Sequence, residues 1–213
     1  MAIKQGDIMA TFIQKIINKF KILKAFHKLE DTIESLRQDG GVFPLNAQYK
    51  QNNIKEYAEY YDCKIFVETG TYLGDTTNAV KNYFEKLYTI ELSEELYKDI
   101  KERFKNEPLI ECHQGDSKDV LKEILPKIDK KCLFWLDAHY SAGITAKGDK
   151  DTPILEELEI IFNSNIDAVI LIDDARCFGT LPDYPTKFTL KNFVRKYRPN
   201  AEIEIYDDII RIV

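Results

Sequence analysis

Five short apolar runs, Lys64–Glu68, Leu87–Glu91, Leu109–His113, Cys132–Asp137 and Ala168–Asp173, alternate with amphipathic stretches along this chain. Runs so short and rich in β-branched and aromatic residues read as strands. Between them, Ala79, Val80 and Phe84, then Leu96, Ile100 and Phe104, then Val120, Leu121 and Ile124, then Leu155, Leu158 and Phe162 keep helical spacing. Ser93, Ser117 and Thr152-Pro153 supply helix starts. Strand and helix in alternation predict an α/β fold, with a doubly wound, mostly parallel sheet covered by helices. After a last helix around Leu190, Phe193 and Tyr197 come AEIEIY and DIIRIV, parted only by Asp207 or by Asp207 and Asp208. Two strands that close form a hairpin, so the sheet gains a C-terminal antiparallel pair.

With 44% hydrophobic residues in 213, there is apolar side chain enough for one full core, which excludes disorder as a description of the whole chain. The net charge of −6, with signs mixed, disfavours nucleic acid as the partner. Cys63, Cys112, Cys132 and Cys177 stand singly, without a CxxC pair, and are expected as reduced packing residues of a cytoplasmic protein.

The N-terminal part differs in sign. Six lysines against Asp7 and Glu30 make +4 in the first thirty residues, and the total of −6 leaves −10 for the rest. Met9, Ile13, Ile16, Phe20 and Leu23 form one apolar stripe, which Phe26, Leu29, Ile33 and Leu36 continue, so an N-terminal amphipathic helix is predicted. It is too charged to span a bilayer. Three destinations stay open for residues 8–38: the domain itself, a second copy in a homo-oligomer, or an anionic membrane surface at the inner face. Gly40-Gly41 and Pro44 end the helix. Residues 1–52 read as helical extension and linker, and residues 53–213 as the main domain.

In an open α/β sheet, ligands bind beyond the carboxyl ends of the strands. The first run exits into Glu68-Thr69-Gly70-Thr71-Tyr72-Leu73-Gly74-Asp75-Thr76-Thr77, a glycine-bearing turn that leads into a helix. Glycine lets backbone approach a ligand closely. Gly70 and Gly74 are spaced GxxxG, so the dinucleotide fingerprint is incomplete. Glu91 closes the second run, placed to accept both ribose hydroxyls of a nucleoside. Asp116, in Gly115-Asp116-Ser117, either receives an adenine amino group or caps the next helix. Three strand ends thus agree on a nucleoside site.

These residues, VETGTYLGDTT, the acid closing LYTIE, QGDS and WLDAH, with the terminal hairpin, resemble the class I S-adenosylmethionine-dependent methyltransferases over residues 50–213. The resemblance implies a Rossmann-like sheet that binds S-adenosylmethionine through Glu68, Gly70, Thr71, Tyr72, Gly74 and Thr76 at the turn. Glu91 would then hold the ribose, Asp116 and Ser117 the adenine, with Asp137 completing the set. Tyr72 stands where the family has its middle glycine.

Asp137 and His139 follow the fourth run, and Asp173-Asp174 follow the fifth, so three carboxylates and an imidazole converge on one rim. Repulsion among them calls for a cation or hydrogen-bond donors, and oxygen-rich sets suit Mg²⁺ or Mn²⁺. The arrangement resembles the metal-dependent macrocin-type sugar O-methyltransferases, which implies Asp137, Asp173 and Asp174 as ligands of a divalent cation. His139, with Asp137, is then the expected catalytic pair, the imidazole as general base. Arg176 is expected to orient an anionic acceptor or to pair with the acids before it. Trp135 and Phe134 read as core, and His27 and His113 as structural. The stretch from Ser141 to Thr152 reads as a lid or an ordinary surface loop. The activity so implied is metal-assisted O-methylation of a sugar or related small molecule. Two alternatives stand beside it: a metal-independent N- or O-methyltransferase, and a non-catalytic interaction protein with a vestigial nucleoside pocket.

Overall fold

The computed structural model describes residues 46–137 and 152–213, together with Lys21. The apolar stripe of residues 8–38, His27, His139 and the loop from 141 to 151 therefore lie outside the described residues, Lys21 excepted. By internal contact the chain parts into Met1–Phe43 and Pro44–Val213, and the second unit carries the sheet. The division expected between residues 52 and 53 falls inside that unit's first helix, α1 (Ala47–Tyr61).

Seven strands, β1 (Ile65–Thr69), β2 (Lys86–Glu91), β3 (Ile110–Gln114), β4 (Cys132–Leu136), β5 (Ala168–Ile172), β6 (Ile203–Tyr206) and β7 (Ile209–Ile212), form one sheet. Its order is β3-β2-β1-β4-β5-β7-β6. The first five are parallel, with Val67 opposite Tyr88 on one side and Phe134 on the other. β7 lies antiparallel to both β5 and β6. This is the α/β sheet with a terminal hairpin that the pattern predicts; the expected bounds of the five parallel strands lie within one residue of the observed ones, and β6 starts two residues into its expected run. Every residue of β1, β4 and β5 is buried, because helices cover both faces of a central parallel strand and leave no polar side. Trp135 and Phe134 belong to this core.

Helix starts set where side chains emerge at the rim. Ser93 caps α3 (Glu94–Arg103), its hydroxyl accepting from the Leu96 amide. Helix α2 (Asp75–Val80) follows the glycine turn. For α4 (Ser117–Ile124) the cap is Asp116, with Ser117 the first helical residue, because a carboxylate one position earlier accepts from Lys118 N–H. Helix α5 (Ile154–Asn163) begins after Pro153, and α6 (Lys187–Tyr197) after Thr186.

Helix α1 is tied to the hairpin along one face. The Tyr49 hydroxyl donates to Asp207, Arg211 donates to Asn53 Oδ1 at 2.6 Å, and the Tyr57 and Tyr206 hydroxyls lie 3.1 Å apart. Arg211 is 1% exposed, stacked at 3.5 Å from the Tyr206 ring centroid and paired with Asp207 at 3.8 Å. The hairpin turn is Asp207-Asp208, with φ of 50° and 52°, and positive φ at both central residues matches the twist of the flanking strands. All four cysteines are free. Among the described residues no helix is long and apolar enough to cross a membrane.

Candidate active site

The sheet order reverses between β1 and β4, and ligand crevices open at such a switch point. On the β1 side the chain leaves Thr69 through residues in the left-handed region: Gly70 at φ 80°, Tyr72 at 52° and Gly74 at 78°. A side chain at Gly74 would meet the Phe104 ring at 2.8 Å, so glycine is needed there for space as well as for φ. Tyr72 adopts the same region as an L residue, and the turn is held by its amide, which donates to Glu91 Oε2 at 2.8 Å. The other Glu91 oxygen accepts from Ser93 N–H at 2.9 Å. Glu91 thus links the ends of β1 and β2, the place where a ribose was expected.

Glu68 lies beneath this turn, 2% exposed. Thr77 donates to it at 2.5 Å and Thr89 at 2.9 Å, while the Thr71 and Thr89 hydroxyls meet at 2.5 Å. Thr77, not the half-buried Thr76, is the hydroxyl that reaches Glu68. Burial raises the Glu68 carboxyl to about 8, against the pull of its two threonines. Asp116 caps α4 and meets Lys118 Nζ at 3.1 Å, and Ser117 is buried beside it. Asp137 follows β4, its amide donating to the Thr69 carbonyl at 3.1 Å.

On the β4–β5 side an open cleft is lined by Asp137, Thr152, Glu157, Asp173, Phe178 and Tyr184 over an apolar floor of Leu136, Ile154 and Ile172. Of the expected ligand set, Asp173 and Asp174 come together, but the third carboxylate within chelating distance is Asp208, with oxygens within 4.8 Å of one another. Those oxygens already carry donors. Asp173 Oδ1 accepts the Asp174 amide at 2.7 Å, and its Oδ2 accepts Lys50 Nζ at 2.6 Å. Lys50 also reaches Asp174 Oδ1 at 3.3 Å. Arg176 donates to Asp174 at 2.7 Å, through its backbone to Asp208 Oδ1 at 2.7 Å, and through its guanidinium to Asp208 Oδ2. A divalent ion would have to displace these donors, so the residues as arranged do not fit one.

Burial pushes Asp173 well above the carboxylate range, Asp137 adds to the rise, and Lys50 opposes it. Burial likewise opposes charge on Lys50, but Asp173, Asp174 and Asp137 outweigh it and hold the ammonium protonated. Arg176 therefore pairs with Asp174, the second of its two expected roles. His113 lies 3.0 Å from Glu111, away from this rim.

Two residues of the rim escape a reading of the sequence. Lys50 comes from α1, 123 residues before Asp173, with nothing local to mark it. Glu157 is 1% exposed in α5, raised to about 7 by burial while the Ser117 and Thr69 hydroxyls oppose the rise. Its signal is visible in retrospect: it shares a helical stripe with Ile154, Leu158 and Ile161, and a carboxylate on an apolar face is out of place unless it serves the site.

No family model and no curated relative matches the chain. Solved structures do. The methyltransferase PaMTH1 of Podospora anserina, bound to S-adenosylhomocysteine, aligns over 100% of this chain and 97% of its own, with TM-score 0.54 and 13% identity. An O-methyltransferase of Bacillus cereus in complex with the same product aligns over 88% and 90%, with TM-score 0.53 and 14% identity. The O-methyltransferase TomG of Streptomyces achromogenes, in complex with S-adenosylmethionine, aligns over 84% and 85%, with TM-score 0.51 and 17% identity. At such identities the likeness is one of fold: the chain has the Rossmann-like fold of these methyltransferases.

Proposed function

We propose that this chain transfers the methyl group of S-adenosylmethionine to a hydroxyl oxygen of a small molecule, a sugar or a related compound. The observation that carries the reading is the linked turn at the switch point, where Glu91 ties the Tyr72 and Ser93 amides over the buried Glu68. Gly70, Thr71, Tyr72, Gly74 and Glu91 would hold the methionine and ribose portions, and Asp116 with Ser117 the adenine. Solved structures of this fold that hold the cofactor or its product support it. The acceptor would enter the cleft beside Asp137, whose carboxylate takes the hydroxyl proton; His139, two positions on, is the second candidate base. Alignment of the sulfonium carbon with the attacking oxygen, and exclusion of water, do most of the work. A divalent ion on Asp137, Asp173 and Asp174 would supply charge to lower the hydroxyl pKa. The donor set argues against it, and no step here depends on one.

Isothermal titration with S-adenosylhomocysteine, then with NAD, tests this reading. The first is expected to bind and the second not. Glu91→Ala should weaken binding by about 1 to 3 kcal/mol, and because Glu91 also ties the turn, its melting temperature is read on the same sample. Unchanged affinity in the folded variant removes Glu91 from the site. No binding at millimolar product favours the vestigial pocket of an interaction protein.

A further inference from the structure

We infer that Lys50 is the resident cation of the acidic rim, standing where a divalent ion would otherwise stand, and that its ammonium orients the acceptor oxygen. This deepens the methyl-transfer reading and rests on it. The lysine is placed with care. Asn46 caps α1, and on the same helix Tyr49, Asn53 and Tyr57 are bonded to Asp207, Arg211 and Tyr206. These contacts fix the first three turns of α1 against the hairpin and leave the Lys50 side chain directed at the carboxyl end of β5.

Its surroundings are those of an ion site. Nζ lies 2.6 Å from Asp173 and 3.3 Å from Asp174, whose side chains are 3% and 6% exposed, while its own is 16% exposed. Buried carboxylates this close repel one another, and the repulsion is met here by Lys50 on one side and Arg176 on the other. An ion in contact with both Asp173 and Asp174 would lie against an ammonium, and like charges at such range exclude one another. The two cations are alternatives.

An ammonium has three hydrogens. Two are directed to Asp173 and Asp174, and the third is available to an oxygen in the cleft that Asp173 and Asp137 line. In the reaction the acceptor oxygen forms its bond to the methyl carbon as the carbon–sulfur bond breaks. The bonding pair goes to sulfur, which becomes a neutral thioether, and the hydroxyl proton passes to Asp137. Lys50 keeps its protons throughout and donates to the acceptor oxygen, favouring its ionised form as a metal would, though less strongly.

Titration of the full chain with Mn²⁺, followed by electron paramagnetic resonance, tests the inference without knowledge of the acceptor. Wild-type protein is expected to show no binding below millimolar Mn²⁺. Lys50→Met, which removes the charge and leaves the carboxylates, should gain affinity at least about 10-fold, and adding Asp173→Asn should abolish the gain. Lys50→Gln provides a second variant should methionine impair folding. Micromolar binding by wild type, or no gain in either folded variant, overturns the proposal. S-adenosylhomocysteine titrated into the same samples reports on the methyltransferase reading separately: its failure to bind would sink that reading whatever Mn²⁺ does.

Discussion

The two halves of the rim bury acid in different ways. On the β1–β2 side, Glu68 and Glu91 are satisfied by neutral donors: two threonine hydroxyls for one, two backbone amides for the other. On the β5–β7 side, Asp173, Asp174, Asp207 and Asp208 are met by cations, namely Lys50, Arg176 and Arg211. The first half is thus organised without a cation of its own, which suits a ligand that brings its own positive charge, as the sulfonium and ammonium of S-adenosylmethionine do. The second is neutralised from within, which suits an uncharged hydroxyl acceptor. The difference also predicts where each half is fragile: the second depends on particular charges, the first on proton uptake.

The sharpest break is at Arg211, which is 1% exposed and faces Asp207 with a side chain 0% exposed. Arg211→Met keeps much of the packing against Tyr57 and Tyr206 and leaves Asp207 as a buried charge without its cation. Loss of one partner of a buried pair costs about 3 to 5 kcal/mol. Chemical denaturation should show that loss, and Arg211→Met with Asp207→Asn should recover part of it, because the stranded charge is gone. A loss below about 1 kcal/mol would mean that the hairpin half is not held by its charges, and the contrast between the halves would fail.

The first half should respond to pH instead. Burial keeps the Glu68 carboxyl protonated up to about 8 in the folded chain, from an ordinary 4.5. Between those values the folded state binds a proton that the unfolded state releases. This contribution to stability is complete below the unfolded value and is lost as pH rises through the folded one, at up to about 1.4 kcal/mol per pH unit. Glu157, raised to about 7, acts in the same direction over a narrower range. Denaturation midpoints of the ligand-free protein should therefore fall between about pH 5 and about pH 8, and Glu68→Gln should flatten that fall. An equal slope in the variant would show that Glu68 is ionised at neutral pH.

The contrast explains how much of the molecule is legible in its sequence. The parallel strands and the hairpin follow from period and from turn length, both local properties. Glu91, Asp116 and Asp173-Asp174 are legible because each directly follows an apolar run. Lys50 is not, because it lies in the first turn of α1, before the buried Ile54, Tyr57 and Ala58, and nothing local says that this turn reaches the end of β5. A chelating set read from three strand ends likewise overlooks Asp208, which a two-residue turn brings alongside Asp174 and Arg176. A carboxylate that closes an apolar run can be read from the sequence; the distant cation that meets it, as Lys50 meets Asp173, cannot.

Asp116 gives the smallest and finest test, because its carboxylate belongs to a half where acids are served locally. As the cap of α4 it accepts from Lys118 N–H at 3.2 Å, a task serine performs nearly as well. As a receiver of the adenine amino group it would need the carboxylate. Asp116→Ser should therefore leave the melting temperature almost unchanged while weakening S-adenosylhomocysteine, by about 1 kcal/mol for one hydrogen bond. The inosine analogue, which lacks the amino group, separates the two roles further. It should bind wild type more weakly than the adenine form, yet show little difference between the two ligands in Asp116→Ser, since the pairing it tests is already gone. Equal discrimination between the ligands by both proteins would make Asp116 a helix cap alone and move adenine recognition to another residue of the rim.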